Sequence, residues 1–269
     1  MAGSSKDCSP VYRVAAPLPR IRFWLGASGL ALLLCGCATN SAAPNYRAPD
    51  FSGQSQAQLS QTVGTLSQRY QRDPADRNIV IPYAAALRSA GQPEQAIAAL
   101  EQAMSRAKGD PALRVEYARA LVAAGRFEQA LNVIDATINP AAPDWTMLSI
   151  KGAALDQLGR HDEARALYRQ AQVLAPAEPS LEANLGLSYS LTNELALAER
   201  HLKRAAGMPG ANPKVRQNLA LVIGLQGRFD EARALYALDL PPAEVEETMD
   251  YIRAMLTQQN RWDLIRKAG

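Results

Sequence analysis

Leu59, Val63, Leu66 and Tyr70 fall at i, i+4, i+7 and i+11, the apolar stripe of an amphipathic helix that should end near Asp73-Pro74. Beyond it the pattern becomes periodic on a longer scale. Gly91, Gly125, Gly159 and Gly227 lie on a 34-residue grid whose remaining node is Asn193. Five residues past each node stands an alanine: Ala96, Ala130, Ala164, Ala198 and Ala232. Four residues further the grid holds Leu100, Ile134, Tyr168, Leu202 and Tyr236, all large and apolar or aromatic. Pro111, Pro179 and Pro213 share one phase, and Asp110-Pro111 and Asn212-Pro213 read as an N-cap followed by proline at the first helical position.

The physical unit behind this grid is a pair of antiparallel helices joined by a tight turn. Glycine, or asparagine at node 193, suits the positive φ of a helix C-terminal turn. The alanine allows close crossing of the second helix over the first, and the large residue four later seals the pair on the same face. Five units follow at about 77–110, 111–144, 145–178, 179–212 and 213–246. The helix at Leu59–Tyr70 caps one end. At the other, Asp239-Leu240-Pro241-Pro242 breaks the stack before a capping helix at about 242–258 carrying Val245, Met249, Ile252 and Leu256, with Trp262, Leu264 and Ile265 folding back. Such a 34-residue unit, with GRFEQALNVI, GRHDEARALY and GRFDEARALY each giving a turn and a second helix, resembles the tetratricopeptide repeat. The fold expected is all-α: a right-handed superhelix of about five repeats filling 58–269, helical caps included.

The first 57 residues have a different character. Arg20 and Arg22 precede the apolar run Phe23–Leu34, and Gly36 follows, the order of a secretory leader. Residues 23–36 as a helix would span only ~21 Å against a ~30 Å hydrocarbon core, too short for a permanent anchor. Leu34-Cys35-Gly36-Cys37 resembles the bacterial lipobox, with Cys37 as the lipidated residue and 1–36 as the removed signal peptide. Ala38 rather than Asp after Cys37 favours, by resemblance to lipoprotein sorting, the outer membrane. Residues 37–57, small, polar and broken by Pro44, Pro49 and Gly53, read as a flexible tether. The chain of 269 residues has a formal net charge of +3. All of it sits in 1–36, where Lys6, Arg13, Arg20 and Arg22 face only Asp7, so the remainder is neutral. A nucleic-acid-binding basic domain is not what this distribution describes.

The chain offers little to build catalysis from. HDEAR at His161 lacks the second histidine of a zinc pair, and His201 sits among charged residues on a second helix. GLSYS at Gly186–Ser190 lacks the closing glycine of a nucleophile elbow and lies in helix. Neither a phosphate-binding nor a dinucleotide-binding glycine pattern occurs. The expectation is a non-enzyme with no metal, cofactor, nucleic acid or small-molecule substrate, meeting the membrane through its lipid alone. Function should reside in the concave face lined by first helices, with Arg119, Ser149, Asp156, Asn184, Lys214, Gln217 and Asn218 as candidate contacts. Asn184 and Asn218 occupy equivalent positions, and an amide there can serve a peptide backbone or a neighbouring helix.

Residues 77–257, above all the QNLAL and GLQGRFDEA segments, the following DLPP and the YIRAML helix, resemble the TadD lipoproteins of the tight adherence (Flp pilus) assembly machinery. That resemblance implies a periplasm-facing, outer-membrane-anchored scaffold that acts like a pilotin, its partner the pilus secretin or another component of the system. The alternative is a general tetratricopeptide lipoprotein serving envelope or cell-wall assembly.

Overall fold

The computed structural model describes residues 48–51 and 53–268, with side chains as far as Thr257. The expected leader, Cys37 and most of the expected tether lie outside the described residues, as do the side chains of Trp262, Leu264 and Ile265. In chain order the helices are α1 Gln56–Arg72, α2 Arg77–Ser89, α3 Pro93–Arg106, α4 Pro111–Ala123, α5 Phe127–Asp135, α6 Trp145–Gln157, α7 His161–Leu174, α8 Pro179–Leu191, α9 Leu195–Gly207, α10 Pro213–Leu225, α11 Phe229–Tyr236 and α12 Pro242–Ala268. Each helix packs on its neighbour in sequence, and the first helices α2, α4, α6, α8, α10 and α12 also touch in succession.

The grid positions account for this stack. The four node glycines have φ between 74° and 80°, and Asn193 holds 61° without a glycine. The five alanines are each 0% exposed, and the large residues four places on are buried with them. A Cβ is unwelcome at two further positions on the first helices. One added to Gly152 would come within 2.6 Å of the Tyr168 ring, and one on Gly186 within 2.6 Å of Leu202 and 3.0 Å of the Ala198 carbonyl. Each helix pair in the middle of the stack is therefore closer than an alanine would allow.

Helix starts follow local chemistry. Asp110 accepts from the Ala112 N–H, Asp144 from Thr146 and Met147, and Asn212 from Val215, while Pro111, Pro179 and Pro213 take the first helical positions. Two second helices are short. α5 stops at Asp135 ahead of Pro140 and Pro143, and α11 stops at Tyr236 ahead of Pro241-Pro242, since proline cannot continue a helix. The break after α11 is tied back to α10, where Arg216 grips Asp239 through its Nε at 2.9 Å.

Both ends differ in detail from the sequence reading. α12 continues as one helix to Ala268 rather than ending near 258, since no glycine or proline stands between Pro242 and Ala268 to stop it. Val245, Met249 and Ile252 seat it on α10 and α11. The stretch expected to be tether through residue 57 is engaged from Ala48 onward. Ala48 packs on the N-terminal core, Ser55 forms a capping box with Gln58 that starts α1, and the Asn212 amide donates to Asp50 at 2.8 Å.

Candidate functional site

The seven candidates lie on α4, α6, α8 and α10, and their surroundings divide them into two groups. Arg119 belongs to a buried ion cluster. Glu116, 1% exposed, accepts from Arg88 at 3.1 and 3.2 Å and from Arg119 at 3.2 Å. A carboxylate with so little water needs both guanidinium groups, so Arg119 is committed to Glu116 on its own helix while Arg88 ties α4 to α2.

Ser149, Asp156 and Asn184 enter a larger polar network across α6, α7 and α8. Asp156, 6% exposed, accepts from the Tyr168 hydroxyl at 2.9 Å and from the Ser188 hydroxyl at 2.8 Å. His161 Nδ1 lies 2.9 Å from the same carboxylate, and because a carboxylate only accepts, that nitrogen carries the proton. Burial, then the adjacent Asp156 charge and hydrogen bond, push the Tyr168 hydroxyl far above the ordinary tyrosine pKa, so it stays a donor. Arg165 extends the network. It donates to the Ser188 hydroxyl and carbonyl at 3.1 Å each, pairs with Glu194 at 3.2 Å, and lies 4.1 Å over the Tyr189 ring. Asn184 donates to the Ser149 hydroxyl at 2.9 Å, joining α8 to α6. Both histidines have structural partners, since His201 lies 2.7 Å from Glu182, which Arg204 also holds. Among the described residues no buried side-chain nitrogen or oxygen lacks a partner.

Lys214, Gln217 and Asn218 on α10 behave differently. Lys214 is exposed and the two amides are half-buried, and among the described residues none of the three makes a side-chain hydrogen bond or ion pair. The cause is visible one repeat back. Asn184 reaches Ser149, and the residue 34 places after Ser149 is Ala183, which offers no oxygen to Asn218. Two asparagines at the same repeat position are thus a structural link in one case and an open donor and acceptor in the other.

Glu116, Arg88, Arg165 and Ser188 were not singled out from the sequence. Ser188 alone carries a sequence signal, a hydroxyl where the grid otherwise holds Ala86, Ala120, Ala154 and Val222; the other three share mixed polar columns and become readable only when the neighbouring helices are known. A cavity of about 350 Å³ between α5, α6 and α7 has Leu131, Leu155 and Leu167 in its lining. Its charged rim is already paired, Lys151 with Asp135 and Arg160 with Glu163. The described residues include no cluster of three or more His, Cys, Asp or Glu able to hold a metal, and no described helix is long and apolar enough to cross a membrane.

A family model of the tetratricopeptide repeat matches residues 87–149, and a second such model matches 148–170 and 215–237. No curated protein matches the chain. Among solved structures, a thermophilic tetratricopeptide-repeat protein of Thermus thermophilus (TTC0263) is 21% identical, with 73% of this chain and 99% of that one covered at a TM-score of 0.55. A chain of the APC/C Cut9–Hcn1 hetero-tetramer is 16% identical, with 72% of this chain and 40% of that one covered, at a TM-score of 0.54. Tetratricopeptide-repeat models thus match within residues 87–170 and 215–237, and the described residues fold as a tetratricopeptide-repeat superhelix.

Proposed function

We propose that this chain is a non-enzymatic adaptor that binds a protein partner on the concave face of its C-terminal half. Tetratricopeptide-repeat superhelices are protein-interaction scaffolds, and the open side chains of Lys214, Gln217 and Asn218 on α10 are the observation that supports contact there. Gln217 and Asn218 can each donate to and accept from a peptide group, and Lys214 adds a cation beside them.

In the fuller reading the protein hangs from the outer membrane by a lipid on Cys37, faces the periplasm, and serves tight adherence pilus assembly in the manner of a pilotin. What supports this is the Leu34–Cys37 pattern and the resemblance of residues 77–257 to TadD lipoproteins. Cys37→Ser should abolish lipid labelling and release the protein from the membrane fraction, and continued acylation would refute that assignment. Gln217→Ala with Asn218→Ala should leave the protein folded and membrane-bound yet deplete secretin multimers and surface pili. Pili and multimers unchanged in a deletion strain would replace the pilotin role with a general one in envelope assembly.

A further inference from the structure

α10 and α12 carry matching faces. Buried Val215, Leu219 and Val222 of α10 fall at i, i+4 and i+7, as do buried Val245, Met249 and Ile252 of α12, so the two helices correspond residue for residue. They also touch, and a Cβ added to Gly224 would come within 3.1 Å of Ile252. α11 runs back between them, so both start at the same edge of the stack. Beside the buried stripe, α10 presents Lys214, Asn218, Leu221 and Leu225, and α12 presents Glu244, Thr248, Tyr251 and Met255, each set at i, i+4, i+7 and i+11. Each face is thus polar at its start and apolar at its end. Tyr251 is 65% exposed, and Leu221, Leu225 and Met255 are half-buried. The N-terminal half lacks such an apolar end, since the corresponding last two positions are Arg119 and Ala123 on α4, and Ala153 and Gln157 on α6. α8 has Leu187 and Leu191 there, but its polar start is closed, because Asn184 is bonded to Ser149.

The apolar end offers no side chain that could serve a peptide backbone. A segment lying there must satisfy its own N–H and C=O groups, which a helix does and a lone extended strand does not. A helix in turn leaves its terminal backbone groups open. The amide oxygens of Gln217 and Asn218, free of hydrogen bonds among the described residues, are placed at the polar end to accept from such N–H groups. Glu244 and Glu247 are exposed there without a side-chain hydrogen bond or ion pair among the described residues, against the single ammonium of Lys214. Two carboxylates to one ammonium favour the positive, N-terminal end of a helix dipole over the negative one. The geometry points to an amphipathic α-helix of a partner protein as the occupant of the groove between α10 and α12. It runs parallel to both, with its apolar stripe on Leu221, Leu225, Tyr251 and Met255 and its first turn over Gln217 and Asn218. This rests on the reading of α10 as the contact site and names what that site takes.

Displayed random peptides of about 16 residues, long enough for the roughly three turns from Lys214 to Leu225, are the probe, selected on the full chain. Enriched peptides should carry apolar residues at i, i+3 or i+4, and i+7. Tyr251→Ser, at an exposed position, should weaken their capture about tenfold, while Leu191→Ser leaves it unchanged. A photoreactive residue in the first turn of such a peptide should crosslink at Gln217 or Glu247, and one in the last turn at Leu225 or Met255. Apolar residues repeating every two or three positions would overturn the helix, and reversed crosslinks would overturn its direction. Loss of capture on Leu191→Ser in place of Tyr251→Ser would move the site to the groove between α8 and α10 and overturn the proposal. Capture lost with Gln217→Ala and Asn218→Ala but kept in the Tyr251→Ser protein would overturn the helix and leave the α10 reading standing. Capture indifferent to all of these substitutions marks failure of the α10 reading, and the helix falls with it. A photoreactive residue at position 251 of the peptide-free chain that crosslinks to a second copy would make that copy the occupant and overturn the partner helix.

Discussion

α8 and α10 are successive first helices with the same asparagine at the same position, yet their polar faces are in opposite states. Around α8 the polar side chains are partnered: Asn184 by Ser149, Ser188 by Asp156 and Arg165, and Asp156 by Tyr168 and His161 as well. Around α10, Lys214, Gln217 and Asn218 keep theirs. A polar residue on a concave face is therefore not by that fact a binding residue. What decides is whether the preceding helix answers it, and a hydroxyl at 149 against a methyl at 183 makes that difference.

The largest effect should come from the saturated side. Asp156→Ala leaves the buried Tyr168 and Ser188 hydroxyls and His161 without their acceptor, which should cost ~3–5 kcal/mol, read as a fall in the urea midpoint. Gln217→Ala or Asn218→Ala, with nothing bonded to them, should stay within about 0.5 kcal/mol of the parent protein. Equal destabilisation from the two helices would erase the contrast.

A subtler change should convert one state into the other. Ala183→Ser places a hydroxyl where Asn218 lacks one, just as Ser149 serves Asn184. Closing that pair should add about 1 kcal/mol of stability at most and weaken partner binding, measured as co-isolation of the partner from native membranes. Retained binding would mean that Asn218 contacts nothing.

The smallest effect concerns the back of the same repeat. Burial alone would raise the Glu199 carboxyl, but bonds from Lys203, Arg228 and Gln226 hold it at about 2, well below its ordinary 4.5. A carboxyl depressed by folding contributes stability that is complete above its unfolded pKa and is lost as pH falls. The contribution should fade from about pH 4.5 toward 2, and Glu199→Gln should flatten the urea midpoint over that window.

How far this was legible in the sequence follows the same line. The helix pairs were, because Gly91 to Gly227, the alanines five residues on and the capping Asp110 and Asn212 act within one repeat, where spacing is enough to place them. The division of the groove was not. Asp156 and Asn184 look as available as Asn218 until Tyr168, Ser188 and Ser149 are brought from neighbouring helices. Asp50 gave less warning still, because a polar residue between Pro49 and Gly53 reads as tether, and its partner lies 162 positions away.

The most direct test places a photoreactive residue at position 218 in one protein and at position 184 in another, and compares crosslinking in the native membrane. A crosslinked partner from position 218 and none from 184 is the predicted result. Crosslinks from 184, or equal yields from both, would contradict the claim that only the unanswered helix is the contact site.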